Sequence, residues 1–330
     1  MHKLLKPPVL FLFVTFPFFL ANATPLAFEN TKNISSKNEE IFLHRFVQEP
    51  HPMGSLAQKK LAQDLRESLA KFGLKSSLQQ FQSVTPDVEG TNVERTNVED
   101  TKQGLTNRTG YNVIGKIQGR GKCSVIFGGH YDTKFFKDQH FIGANDGGSS
   151  TALLLELARV LKQSHFTRGS LGSCSLYFVL FDGEEALLNG WNDAEKKYNI
   201  QDNLYGSRAF VQKYFKQNNH ETFIEDNKVS LVVILDMIGH KHQNLYITQG
   251  SNEGYSEKFI AACKKTPITR APIYIEDDQV PFAKYSVPVL HIIDWTNVGE
   301  WHTTKDDLSI ISVDNITRLG EDIVRFLNFK

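Results

Sequence analysis

Three cysteines in 330 residues are too few to staple a fold, and their odd number leaves at least one thiol free or paired between chains. Charge of one sign is also missing, since 37 Lys and Arg balance 37 Asp and Glu. Nothing in that balance points to nucleic acid or to an acidic partner. No GxSxG elbow is present, so the nucleophilic serine of a hydrolase elbow has no candidate. The apolar run Val9–Leu20 falls short of the roughly 20 residues a spanning helix needs. It follows Lys3 and Lys6 and precedes Ala21-Asn22-Ala23, the small-x-small pattern of a cleavage site. Residues 1–23 therefore read as a signal peptide removed on export, which leaves a secreted or periplasmic protein without stable membrane insertion. Export permits disulfides, and Cys123 and Cys174, each near the start of an expected strand, could be sheet neighbours. The simpler reading is three structural cysteines, none catalytic.

What is present is ordinary globular composition, 40% hydrophobic and 22% charged, enough for one catalytic α/β domain over residues 24–330. Leu56, Leu61, Leu65, Leu69 and Phe72 recur near helical spacing, and Gly73 is a stop, so Ser55–Phe72 is an expected surface helix. Residues 84–110 repeat TNVE twice without any apolar period and read as a mobile loop. Strands and helices then alternate: strands at 111–117, 123–130, 174–182, 229–239, 244–249 and 288–294, and helices at 149–163, 204–217, 255–264 and 313–328. The runs CSVIFGG, CSLYFVLF and LVVILD are nearly continuously apolar, as in strands buried on both faces. The expected fold is a three-layer α/β/α sandwich with a mainly parallel, mixed central sheet.

In such sheets ligands gather beyond the carboxyl ends of the strands, and the polar residues of this chain collect there. His130 and Asp132 follow one strand, Asp182, Glu184 and Glu185 another, and Asp236 a third. Asp146 sits in the glycine-rich GANDGG and His302 in EWHTTKDD. Each has a structural explanation taken alone: Asp146 as a helix cap, His130 as a buried histidine, Asp236 as a strand end. Together they suit a divalent metal, with zinc the usual choice for a mixed histidine and carboxylate set. The pair Glu184-Glu185 is the most telling. Two ionised carboxylates side by side in a poorly solvated place favour a division of labour, one ligating and the other carrying protons.

The motifs GGHYDTK, GANDGGSSTALLLELARVL, FDGEEA, LYGSR, LVVILDMIG and VPVLHIID…EWHTTKDD, in this order, resemble the zinc aminopeptidase superfamily called the M28 peptidases. Within it the likeness is nearer to the glutaminyl-peptide cyclotransferases. HYDTK, the tryptophan-bearing insertion ALLNGWNDAEKKYNIQDN, and IEDDQVPF with EWHTT carry that likeness. The resemblance implies zinc on Asp146, Glu185 and His302, one per chain, with His130 and Asp236 as positions for a possible second metal. It implies Glu184 as general acid and base, Asp236 and Asp277 as a hydrogen-bonded carboxylate relay beside it, and Trp191 and Trp301 as walls of the substrate pocket. Glu276 falls on a substrate-binding position where the animal cyclases carry glutamine, and Gly129 replaces a cysteine those enzymes have. Trp295 receives no assignment, and Lys134 reads as a surface lysine.

The reaction so implied is cyclisation of an amino-terminal glutamine to pyroglutamate with release of ammonia, on peptide or protein substrates, by a monomer. A secreted aminopeptidase would use the same residues. The insertion between the glutamate pair and LYGSR is what favours the cyclase. A catalytically silent peptide-binding ectodomain on this fold is a third reading, disfavoured because the full set of ligands and the base is present.

Overall fold

A computed structural model describes residues 32–88, 104–164 and 171–328. The expected signal peptide and residues 89–103 of the expected loop lie outside them. The chain opens with helices α1 (Ser36–Phe46) and α2 (Leu56–Lys71), the latter capped by the Ser55 hydroxyl accepting from Gln58 N–H. Two long antiparallel strands follow, β1 (Lys75–Pro86) and β2 (Leu105–Ile117). The alternating part is β3 (Cys123–His130), α3 (Gly148–Gln163), β4 (Ser175–Phe181), α4 (Asp193–Tyr198) and α5 (Tyr205–Tyr214). A hairpin of β5 (Phe215–Asn218) and β6 (Glu221–Ile224) leads into β7 (Asn227–Asp236). The remainder is β8 (Leu245–Ile247), α6 (Glu253–Ala262), β9 (Ile268–Arg270), α7 (Val280–Ala283), β10 (Val289–Ile293) and α8 (Val313–Leu327).

These strands form one ten-stranded mixed sheet in the order β1-β2-β4-β3-β7-β10-β8-β9, with the β5–β6 hairpin on the edge of β7. Its centre, β4-β3-β7-β10, is parallel. On either side β2 and β8 join antiparallel. The period of two along β4 explains the three layers. Leu176, Phe178 and Leu180 pack with α1, α2, α3, α6 and α8 on one face, while Tyr177, Val179 and Phe181 pack with Phe210 of α5 and Phe282 of α7 on the other. Because the four central strands run the same way, His130, Phe181, Asp236 and Ile293 all end at one rim.

Cys123 and Cys174 are joined by a disulfide that ties the start of β3 to the residue preceding β4, at the end of the sheet away from that rim. Cys263 is free.

Several boundaries differ from expectation. The segment read as loop over 84–110 begins and ends in strand, because Val84–Pro86 pair with Leu105–Asn107 and bury Thr85 and Arg108. The helix expected to reach Gln217 stops at Tyr214. Phe215 turns into the second apolar cluster, and the chain reverses at Asn219 and His220, both in left-handed conformation (φ 47° and 62°), as hairpin turns favour. Among the described residues no helix is long and apolar enough to cross a membrane.

Candidate active site

Two donor groups form at the rim and share one residue. His130, Asp146 and Asp236 make one, and Asp146, Glu185 and His302 the other, the ligand atoms of each lying within 4.8 Å of one another. His130 Nε2 is 3.0 Å from Asp146 Oδ1 and 3.2 Å from Asp236 Oδ1. His302 Nε2 is 2.9 Å from Glu185 Oε1 and 3.4 Å from Asp146 Oδ2. Asp146 is not the helix cap that its position allows, since Gly147 occupies the N-cap of α3 and no side chain caps that helix. Gly147 itself is required there, at φ 80°, because a β-carbon would sit 2.9 Å from the His130 ring.

The electrostatics call for a cation between these groups. Burial opposes ionisation of Asp146, yet His130 and His302 hold its carboxyl well below the usual range. The histidines respond in kind. Burial would lower His302, but Glu185 and Asp146 push it up to about 9. His130 is likewise driven well above its ordinary value, against burial, by Asp132, Asp146 and Asp236. The carboxylates thus favour positive charge beside them, and Asp146 Oδ2 is buried without a hydrogen-bond donor. The set of Asp146, Glu185 and His302, one nitrogen and two carboxylate oxygens with an orphaned Asp146 oxygen, fits a divalent ion of the zinc type.

Glu184 differs from its neighbour. Burial raises its carboxyl well above the usual range, and Glu185 and Asp277 add to the effect while His130 opposes it. Asp236, the last residue of β7, is raised to about 6 by burial, with His130 pulling it down. The two glutamates are aimed by their backbone. Asp132 accepts from Glu184 N–H at 3.1 Å and from Glu185 N–H at 3.3 Å, tying the turn after β4 to the end of β3. The chain turns through Gly183 at φ 70°, where a β-carbon would meet Met53 Sδ at 2.4 Å. On the other side Asp306 accepts from Asn145 N–H at 2.7 Å and Asp146 N–H at 3.1 Å, and its carbonyl accepts from Ala144 N–H. Burial pushes Asp306 up to about 7, and the nearby Asp146 adds to this.

Above the donors lies a cavity of about 410 Å³, lined by the acidic residues and by Trp191, Trp295, Trp301 and residues 273–277. His302, in left-handed conformation at φ 56°, is stacked on Trp301 with centroids 3.7 Å apart, and Trp295 meets Trp301 edge-on at 5.0 Å. Phe136 and Phe141 face the His302 ring edge-on. Across the mouth, the Trp191 indole N–H donates to Glu276 Oε2 at 3.0 Å. The insertion carrying Trp191 has a tied neck: Leu188 N–H donates to Asp202, and Leu204 and Tyr205 N–H donate to the carbonyls of Glu184 and Gly183.

Of the residues singled out in the sequence, Asp146, Glu184, Glu185, Asp236, Asp277, Trp191, Glu276, Trp301 and His302 line the cavity and His130 lies beneath it, whereas Asp182 is not part of the site and accepts from Tyr111 N–H at 2.7 Å and from Gln58. The relay differs from expectation. Asp236 bonds to His130, and Asp277 bonds to His291 Nε2 at 2.8 Å, with no side-chain bond to Glu184 from either. Lys134 is not a surface lysine but 3% exposed, donating to the carbonyls of Ala186 and Leu188 and lying 3.9 Å from Glu185. Trp295, left unassigned, forms part of the wall. Sequence reasoning missed Asp306 and His291. A polar residue inside the apolar strand VLHII was the signal for the second.

Residues 112–327 match the model of Peptidase family M28. The chain is 30% identical over 229 residues to a glutaminyl-peptide cyclotransferase of Dictyostelium discoideum, covering 63% of this chain and 60% of that protein, under two thirds of its length. It is 30% identical over 271 residues to one of Gloydius blomhoffii, covering 70% of each. Among solved structures, a glutaminyl cyclase of an Acidobacteriales bacterium is similar with a TM-score of 0.69 at 25% identity, covering 93% of this chain and 98% of that one. BSAP, a zinc aminopeptidase from Bacillus subtilis, is similar in fold, with a TM-score of 0.65 at 18% identity over 90% of this chain and 95% of that one.

Proposed function

This chain belongs to peptidase family M28, and on that footing we propose that it is a zinc-dependent glutaminyl-peptide cyclotransferase, exported and cleaved near Thr24. The observation that carries the reading is the tryptophan-walled cavity over the Asp146, Glu185 and His302 donors, one wall of which comes from the insertion bearing Trp191. Two proteins that are 30% identical to this chain, over 229 and 271 residues, are named for that activity.

Asp146, Glu185 and His302 would hold the zinc, which when bound supplies a Lewis acid for the γ-carbonyl of the substrate glutamine. The rest is the work of the chain. The substrate's own α-amine nitrogen forms a bond to the γ-amide carbon, and the bond from that carbon to the amide nitrogen breaks to release ammonia. Glu184, which burial keeps ready to hold a proton, takes one from the attacking amine and gives it to the departing nitrogen. Asp236 and Asp277, oriented by His130 and His291, border Glu184 and fix the electrostatic setting in which it exchanges that proton. Trp191, Trp295 and Trp301 enclose the bent side chain and keep water from the amide, so the internal amine is the nearest nucleophile.

A second reading rests on the His130, Asp146 and Asp236 group, which offers a place for a second metal and with it aminopeptidase chemistry. Mass spectrometry on Gln-, Leu- and Ala-initiated peptides separates the two. A cyclase removes ammonia from an intact Gln peptide and leaves the others whole. Release of free leucine at rates comparable to cyclisation, with zinc fully bound, refutes the cyclase reading.

A further inference from the structure

The cavity of the proposed active site is lined by six acidic side chains, Asp146, Glu184, Glu185, Asp236, Glu276 and Asp277, and by no lysine or arginine. Five of these lie within the buried machinery of the site, 8% exposed or less, and only Glu276 is exposed at the mouth. Its carboxylate accepts one hydrogen bond, from the neutral Trp191 indole, and has no ion-pair partner among the described residues. A single neutral donor leaves the negative charge uncompensated, and a carboxylate has room for further donors. Beside it, Ile273 is 43% and Tyr274 59% exposed, so apolar surface and one carboxylate stand together on the rim.

A peptide whose first side chain reaches the donors must lead the rest of its chain out over this rim. The side chain that suits an apolar shelf ending in a carboxylate has an aliphatic stem and a cationic head. We propose that Glu276 sets specificity for the second residue of the substrate, so that the enzyme prefers peptides beginning Gln-Lys or Gln-Arg and discriminates against those beginning Gln-Glu or Gln-Asp. This rests on the cyclase reading. The stem lies on Ile273 and Tyr274, the ammonium or guanidinium meets the free side of the Glu276 carboxylate, and an acidic second residue meets like charge there.

The test measures kcat/KM for ammonia release from otherwise identical Gln-Lys, Gln-Leu and Gln-Glu peptides. For a partly exposed pair the Lys peptide is expected to exceed the Glu peptide roughly threefold to tenfold at low salt, with convergence at high salt. Glu276→Gln keeps an acceptor for Trp191 and should bring the ratio close to one. Glu276→Lys should invert it. Equal rates on the three peptides with the wild-type enzyme overturn the proposal and leave the cyclase reading standing. A uniform loss across all three in Glu276→Gln also overturns it, because Glu276 would then serve something every substrate has, such as the α-amine. Ammonia from none of the peptides ends both readings.

Discussion

Removing the Asp306 side chain should loosen the metal before it unfolds the protein. Asp306→Ala deletes the acceptor of two buried backbone donors, Asn145 N–H at 2.7 Å and Asp146 N–H at 3.1 Å, and leaves Ala144 N–H still bonded to the main chain at position 306. A hydrogen bond to a carboxylate contributes about 1.5–3 kcal/mol, so two give about 3–6 kcal/mol. Water admitted to the vacated space recovers part of this, and we expect about 2–4 kcal/mol in all. The third anchor survives, so the loss falls mainly on the aim of Asp146. That predicts zinc bound about 10–100-fold more weakly, as for other residues that orient a ligand. Competition with a chelator of known affinity at about pH 8, above the value of about 7 to which burial raises Asp306, reads the affinity, and urea unfolding of the metal-free protein reads the stability. Asp306→Ala with wild-type zinc affinity refutes the reasoning, whatever its effect on unfolding.

The glutamate pair should divide in a mutational test. Glu184→Gln is expected to keep zinc and lose at least ~10²-fold in kcat, while Glu185→Gln loses zinc, and metal analysis giving the reverse order contradicts the roles. The disulfide closes a 51-residue separation, for which chain entropy predicts about 4 kcal/mol, so replacing both Cys123 and Cys174 by serine should lower the urea midpoint accordingly without altering KM. Burial raises Glu39 on α1 from 4.5 to about 8. The folded chain therefore holds that proton more tightly than the unfolded one, so its contribution to stability is full below about pH 4.5 and is lost as pH rises through 8. Glu39→Gln should flatten the pH dependence across that window by up to about 5 kcal/mol, and an unchanged slope in unfolding titrations argues against it.

The parts of this molecule legible in its sequence are those where one physical demand acts alone. β3 runs over Cys123–His130 as its continuous apolar character requires, and α3 over Gly148–Gln163 almost as its pattern implies. Strand β1 was illegible, because KSSLQQFQSVTP carries few apolar residues. It is held at the sheet edge by its ladder to β2, and by Gln79, which accepts from Asn112 and donates to the Ala209 carbonyl. At the site, Glu184, Glu185 and Asp236 were legible from their position after strands, whereas Trp191, Glu276, Asp277 and Trp301, which also line the cavity, were indicated only by the resemblance to a family. Residues that act on backbone, such as Asp132 and Asp306, were not assignable, because the N–H groups they accept from belong to loops distant in sequence. Lys134 failed for a related reason. Lysine is seldom buried, and the converging carbonyls of Ala186 and Leu188 together with the Glu185 carboxylate make burial tolerable here.

The tied neck of the Trp191 insertion bears on how readily this enzyme could be reshaped. Leu188 and Asp202 are bonded across the base, and Leu204 and Tyr205 are bonded back to Glu184 and Gly183, so the ends of the excursion are fixed whatever lies between them. Lengthening a loop whose ends are already held costs little, about 0.6 kcal/mol for each doubling. Residues 189–201, which hold α4 and the buried Ala194, are therefore the part of the wall whose change leaves the anchored ends in place. Their length and aromatic content can drift, or be swapped by design, to rebuild one wall of the cavity while the grip of Asp146, Glu185 and His302 stays as it is.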